Sequence, residues 1–191
     1  MDFKDLARSR RSIRRYKENS PIPREHLEVC VDSARLSPSA CNSQPWRFVI
    51  IDDQSLVKKI SDTVISGAYK MNSFASLASA FITIVSEPVK SSAWVGGKLM
   101  GTDFRYVDAG IASAHIVLQA AELGIGSCIL GWFNERNLKK MLSVPRQSKI
   151  KLLIALGYPE ERLLREKPLK PRNKTVSFNT YENALNNTGQ S

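Results

Sequence analysis

Residues 37–50 read SPSACNSQPWRFVI, and they join a helix-forming segment to a strand-forming segment. Prolines and small polar residues dominate the first half, which is typical of a loop, whereas RFVI is typical of a strand. The loop also carries the two amides Asn42 and Gln44 and the large aromatic Trp46. Small side chains let a flat ligand approach the backbone, and amides can meet a ring edge that has both donors and acceptors. By itself, the stretch fits a tight surface turn with Trp46 in the core better than it fits a ligand site.

Helix and strand patterns alternate on both sides of this loop. The longest helix pattern, DFRYVDAGIASAHIVLQAAEL at 103–123, is apolar almost all round, so we expect a second subunit to cover part of it. After Pro159 the chain turns polar and proline-rich. The length of 191 residues and the 42% hydrophobic content predict a single domain over 1–191, with 160–191 as a tail. The predicted helices are 3–9, 22–37, 54–66, 103–123 and 134–144, and the predicted strands are 47–52, 80–86, 127–131 and 151–157.

The net charge of +10 is concentrated near the two ends of the chain. Residues 1–17 hold seven Lys or Arg against two Asp, and residues 162–175 hold six against one Glu. The basic and acidic residues elsewhere cancel. A nucleic-acid groove usually draws basic residues from many elements, so this distribution favours a compact anion site assembled from both termini.

The cysteines and the hydropathy pattern indicate the cellular compartment of the protein and whether it has a membrane segment or a metal site. Cys30, Cys41 and Cys128 are too few and too far apart for a disulfide framework or a CxxC metal site, so we expect a reduced, cytoplasmic protein. The N-terminus has no apolar signal region, and AFITIV at 80–85 is too short to span a bilayer. His, Cys, Asp and Glu form no cluster at metal-ligand spacing. We therefore expect neither a membrane partner nor a metal.

Two further stretches carry candidate chemistry. Residues 8–16, RSRRSIRRY, could be a nucleic-acid arm, a solvated helix end or a clamp for one phosphate. In an extended segment, side chains at 10, 12 and 14 face one way, which would present two guanidinium groups and a hydroxyl to a dianion. In LGIGSCILGWFNE, residues 123–135, a strand ends at Gly131, where backbone N–H groups can face a ligand. The second pattern is weak on its own.

The order of these stretches, with PSACNSQPW as the most selective element, resembles the nitroreductase family of FMN-dependent oxidoreductases over nearly the whole chain. The resemblance implies an α+β, three-layer fold in which helices flank a central mixed, mainly antiparallel sheet. It also implies an intertwined homodimer that binds FMN in each interface groove with contacts from both subunits. In such a dimer the tail 160–191 wraps over the partner, which would account for its charge.

The family's FMN contacts can be carried over position by position. Arg10, Ser12 and Arg14, with Arg11 beside them, match the phosphate and ribityl contacts. Leu130 and Gly131 match the backbone amides that face flavin N5 and O4. The remaining matches are the basic pair Lys170 and Arg172 at the phosphate, the flavin-edge loop Pro38, Ser39 and Ala40, and its polar neighbours Asn42 and Gln44. The resemblance provides no counterpart at 65–76 for the family's contacts to the pyrimidine edge.

The implied reaction is a ping-pong transfer in which NADH or NADPH gives a hydride to flavin N5, and a small electron-poor acceptor such as a nitroaromatic or a quinone then takes it. No side chain is expected to act as a catalytic acid or base. Two alternatives stay open: a flavoprotein of this fold with another reaction (reductive dehalogenation, flavin reduction or flavin breakdown), and a basic nucleic-acid-binding module. The sequence does not choose between NADH and NADPH or identify the acceptor.

Overall fold

The computed structural model describes residues 1–64, 67–88, 101–160 and 167–182. Every predicted helix and strand is present with ends that differ by a few residues, and residues 65–66 of the predicted helix 54–66 lie outside the described ranges. The helices are α1 (Phe3–Ser9), α2 (Arg24–Arg35), α3 (Gln54–Val64), α4 (Phe104–Glu122) and α5 (Glu135–Met141), and the strands are β1 (Trp46–Ile51), β2 (Ala80–Ser86), β3 (Gly126–Leu130) and β4 (Lys149–Gly157). Short 3-10 segments occupy Ala40–Asn42, Gly67–Leu77 and Arg172–Lys174, and none of the three was predicted.

The four strands form one sheet in the order β1-β2-β4-β3, and each neighbouring pair is antiparallel. All seven residues of β2 are buried, as expected for a short apolar run at the centre of a sheet. A parallel bridge between Ser12 and Ser127 adds the N-terminal segment to the edge at β3. This arrangement confirms the predicted α+β class with its mainly antiparallel sheet.

Helices cover both faces of the sheet and give three layers. On one face, α2 and α4 pack against β2 and β4, with Leu27, Ile82 and Ile116 fully buried between them. On the other face, α3 and α5 pack against the same strands around Ile60, Phe81 and Leu138. The side chains of β2 alternate between these two cores. The segments that carry the candidate residues lie at the edges and ends of the layers.

Two close approaches fix the N-terminal segment against the sheet. The Ile13 N–H donates to the Ser127 carbonyl at 2.9 Å. The Ile13 side chain packs so closely on Gly126 that a Cβ there would lie only 2.9 Å from it. Tyr16 is buried, and its ring lies 2.7 Å from the Cβ position of Gly157. Larger residues at either glycine would displace the segment, so Gly126 positions it along β3 at Ile13 and Gly157 positions it at the end of β4 at Tyr16.

Helix α4 has one buried side and one exposed side within the chain. Ala112 and Ile116 are fully buried against the sheet, whereas Val107 is 50% exposed and Gly110 and Ala114 are also exposed. The exposed side carries the small and apolar residues that the sequence pattern assigned to a second subunit. Among the described residues, no helix is long and apolar enough to cross a membrane.

Candidate active site

The N-terminal segment presents its basic residues beside β3. Arg10 ends α1 with an extended backbone (φ −63°, ψ 123°), and Ser12 and Arg14 are both exposed. Ile13 between them packs inward, so the predicted alternation is present at positions 12 to 14. Arg11 instead donates to the carbonyls of Arg8 and Arg10, which braces the backbone at the start of the segment.

A chain of contacts joins Arg14 to the end of β3. The Arg14 guanidinium lies 5.7 Å from the ring centroid of Phe74, within cation–π range. Two residues earlier, the Asn72 amide donates to the Trp132 carbonyl at 2.6 Å. The 3-10 segment Gly67–Leu77 therefore sits between the predicted phosphate contacts and the strand end. Asn72 and Phe74 are residues that the sequence reasoning left unassigned.

The end of β3 presents backbone rather than side chain. The Leu130 side chain is 3% exposed and packs in the core, so the polar groups it can offer are those of its main chain. A Cβ at Gly131 would meet no atom of the described chain within 4 Å. The packing of the described chain therefore does not require glycine at this position, and the side of the strand end at Gly131 is open.

The loop Pro38–Gln44 is held in an unusual backbone conformation. Cys41, Asn42 and Gln44 all have positive φ angles, of 51°, 50° and 45°. Asn tolerates this region, but Cys and Gln do so rarely, and such positions cost on the order of 1–3 kcal/mol each. Within the loop, the Gln44 N–H donates to Ser39 Oγ at 2.9 Å, and the Gln44 side chain donates to Asn42 Oδ1 at 3.2 Å.

Helix α4 anchors this loop at two points. The Ala40 N–H donates to Asp108 Oδ1 at 3.0 Å, and Asp108 is 3% exposed. Desolvation by burial raises the pKa of the Asp108 carboxyl, although the bond from Ala40 opposes this. At the loop entry, His115 Nδ1 lies 3.2 Å from Ser37 Oγ. Asp103 differs from Asp108, because it is the N-cap of α4 and accepts from the Arg105 N–H of its own helix.

The predicted contacts thus fall into two groups held by different elements. The first, Arg10–Arg14 and Leu130–Gly131, lies along β3 and the segment Gly67–Leu77. The second, the loop Pro38–Gln44, is fixed to α4. The tail residues Lys170 and Arg172 are exposed, and within the described chain neither side chain has a hydrogen bond or ion pair.

The three thiols differ in accessibility. Cys30 is fully buried, and burial raises the pKa of its thiol to about 12. Cys128 is 4% exposed, and burial likewise raises its pKa, partly opposed by the nearby Arg14. Cys41 is exposed in the loop. The residues described contain no group of three His, Cys, Asp or Glu side chains that could hold a metal ion.

We expect iodoacetamide to modify Cys41 alone in the native protein near pH 7.5, because a thiolate must be both formed and accessible to react. Intact-mass spectrometry should show one adduct per native chain and three after denaturation, matching the three cysteines. Cys41→Ser should show none in the native state. Modification of Cys30 or Cys128 before unfolding would contradict the burial seen here.

Comparison with known proteins identifies relatives for both sequence and fold. The profile of the nitroreductase family matches residues 7–158. A relative from Archaeoglobus fulgidus, whose name joins NADH dehydrogenase and NAD(P)H nitroreductase, is 32% identical over 157 residues, which cover 80% of this chain and 83% of the relative. An iodotyrosine deiodinase from Thermotoga neapolitana is 25% identical over 202 residues, covering 93% and 97%.

The fold comparison agrees with the sequence comparison. The solved structure of an FMN-dependent nitroreductase from Clostridium difficile R20291 matches with a TM-score of 0.71 and 26% identity. The match covers 92% of this chain and 98% of that protein. The likeness therefore extends over the layers, the sheet and the elements that carry both groups of candidate residues.

Proposed function

Because this chain belongs to the nitroreductase family, we propose that it is an FMN-dependent oxidoreductase that passes a hydride from NAD(P)H to an electron-poor acceptor. Family membership makes it an NAD(P)H-dependent oxidoreductase that uses a flavin and a nicotinamide cofactor. FMN as the flavin, a nitroaromatic or quinone as the acceptor, and ping-pong turnover are the finer parts of the proposal. A cytoplasmic location also stays a prediction.

One observation carries the choice of FMN: the extended Arg10–Arg14 segment lies against β3, whose end offers main-chain groups and an open side at Gly131. A phosphate-bearing flavin needs cations and a hydroxyl at one end and main-chain donors at the ring. Guanidinium groups suit phosphate because they donate two parallel hydrogen bonds to it. The residues present therefore fit FMN better than they fit riboflavin.

Each group of residues would have a distinct task. Arg10, Ser12 and Arg14 would hold the phosphate and ribityl chain. The main chain of Leu130 and Gly131 would present donors to the ring edge, where negative charge develops on reduction. The loop Pro38–Gln44 would line the other edge. Bound FMN would supply hydride-transfer chemistry, and the protein would orient it and exclude water.

We further propose that the two groups meet across a homodimer interface, so that each site takes residues from both subunits. The exposed side of α4 and the large apolar side chains of the tail support this arrangement. Leu169 is 77% exposed and Tyr181 is 96% exposed within the chain, so both offer apolar surface that a partner subunit would bury. A tail that wraps the partner would cover them and carry Lys170 and Arg172 to the phosphate.

Purified protein should carry FMN, and this is the first test of the proposal. Supernatant from heat-denatured protein should contain FMN by chromatography, and added FMN should raise the melting temperature of apoprotein. Free ligand at a hundred times its dissociation constant stabilises the folded state by about 2.7 kcal/mol. Protein that stays colourless and gains no stability from FMN would refute the proposal.

The acceptor needs a separate experiment. With NADH or NADPH in excess, the holoenzyme should reduce a nitroaromatic or a quinone, followed at the nicotinamide absorbance. The deiodinase relative, which this chain matches along almost its full length, supports reductive dehalogenation as the second candidate. Turnover of 3-iodotyrosine with iodide release, but not of the nitroaromatic or quinone, would favour that reaction while leaving FMN binding intact.

A further inference from the structure

Asp108 is a buried carboxylate at the start of the second turn of α4, and the proposed reaction does not use it. It lies on α4 and is 3% exposed. Burying a carboxylate costs free energy unless hydrogen bonds compensate it, and a position facing the protein interior of a helix is ordinarily apolar. Its neighbours on the buried side of α4, Ala109 and Ala112, follow that rule. Asp108 therefore requires a specific explanation.

The contact that Asp108 makes satisfies a backbone N–H at the start of the loop's 3-10 turn. Ala40 begins the 3-10 segment Ala40–Asn42, and the first N–H groups of such a turn have no partner within it. The Ala40 N–H donates to Asp108 Oδ1 at 3.0 Å, across 68 positions of sequence. A hydrogen bond to a charged acceptor is stronger than one between neutral groups, so the carboxylate fixes the start of the turn firmly.

The residues that follow Ala40 are those with the unusual backbone. Cys41 and Asn42 have positive φ, and Gln44 does so again two positions later. A short loop in such a conformation relaxes unless surrounding contacts hold it. Ser39 and Gln44 close the loop from within, and Asp108 ties the 3-10 turn itself to α4, beside the contact of His115 at the loop entry.

We propose that Asp108 is a positioning residue for the flavin loop: its carboxylate binds the Ala40 N–H and keeps residues 40–44 in the conformation that meets FMN. The choice of FMN as the ligand rests on the proposed function. The coupling between Asp108 and the loop does not, because both are properties of the protein without ligand. Asp108 need not touch the flavin.

The test compares three variants in the full-length protein. Asp108→Ala removes the acceptor, Asp108→Asn keeps an acceptor oxygen of the same shape, and Ser113→Ala is the matched control. Ser113 is equally buried on α4, but its hydroxyl donates to the Gly110 carbonyl of its own helix. FMN affinity, measured by quenching of flavin fluorescence, should fall roughly ten- to a hundredfold in Asp108→Ala. It should fall less in Asp108→Asn, which keeps an acceptor oxygen without the charge, and stay within about threefold of wild type in Ser113→Ala, which leaves the acceptor unchanged.

Hydrogen exchange of the apoprotein distinguishes positioning from general destabilisation. In Asp108→Ala, the amides of residues 40–44 should exchange about ten times faster, whereas those of 113–122 in α4 should keep their wild-type rates. Equal acceleration in both regions, or no change at the loop, would overturn the proposal. So would a loss of FMN affinity no larger than that of Ser113→Ala.

One measurement on wild-type protein tests the proposal even if Asp108→Ala does not fold. The Ala40 amide should be protected in the apoprotein, and a rate equal to that of an unstructured peptide would overturn the proposal. If wild-type protein binds no FMN, the proposed function fails, while the exchange of residues 40–44 still decides whether Asp108 holds the loop.

Discussion

Arg10→Ala and Arg14→Ala should each weaken FMN binding by roughly ten- to a hundredfold, because each removes a charge-assisted hydrogen bond worth about 1.5–3 kcal/mol. Both residues lie on the segment that Ile13 and Tyr16 hold against the sheet. The backbone anchors are therefore independent of the two guanidinium groups, and the alanine variants should keep the segment in place. Titration of apoprotein with FMN, followed by flavin fluorescence, measures the effect.

Three comparisons separate a phosphate clamp from general attraction. Arg8→Ala should bind FMN as wild type does, because Arg8 lies in the last turn of α1, outside the predicted contacts. Riboflavin, which lacks the phosphate, should bind wild type weakly and respond little to Arg10→Ala. Arg172→Ala should behave like the clamp variants, although it is about 160 positions away in sequence, because the tail is proposed to return to the same phosphate.

The result that would end the clamp hypothesis is also specific. A nucleic-acid arm predicts similar, additive and strongly salt-dependent contributions from Arg8, Arg10, Arg14 and Arg15. Arg14 needs one further control, because its guanidinium also lies over Phe74. A loss that is equally large with riboflavin would show that Arg14 acts through this packing contact and not through the phosphate.

The fold was predictable because its signals are local. Strands β1 and β2 are apolar runs bounded by proline or polar residues, and α4 carries an apolar pattern closed by Gly124, so spacing alone places them. The layers then follow, since helices with one apolar side must cover a sheet. The 3-10 segment at residues 67–77 was not predicted, because short 3-10 segments lack the regular spacing of apolar residues that identifies an α-helix or a strand.

From the sequence, we could name candidate site residues only where they stand in a recognisable motif. Arg10, Ser12 and the loop around Asn42 stand in recognisable stretches. Asp108 and Asn72 do not, because each acts through a contact between residues far apart in the chain, with Ala40 and with the Trp132 carbonyl. A carboxylate near a helix start is ordinarily explained by the dipole, and only the three-dimensional structure shows that Asp103 fits this explanation and Asp108 does not.

The largest effect should come from a single substitution on the exposed side of α4: Gly110→Arg should abolish both dimer formation and FMN binding. Gly110 is exposed, and a Cβ there meets no atom of the described chain within 4 Å, so a side chain can leave α4 at this position without a clash at its Cβ. Replacing a helix-interior glycine also gains up to about 1 kcal/mol of helix propensity. We therefore expect the loss to arise outside the single chain, at a surface where a second subunit would pack.

Light scattering and flavin titration together decide this prediction. Wild type should have twice the 21.3 kDa chain mass at low micromolar concentration, and Gly110→Arg should be monomeric or fail to accumulate. Glu122→Arg is the control, because it places the same side chain on another exposed position of α4 and should leave both mass and FMN affinity unchanged. A Gly110→Arg monomer that binds FMN as tightly as wild type would show that one chain completes the site, since the loop and the arginines would then meet within it. A dimer that persists in Gly110→Arg would place the interface on another surface.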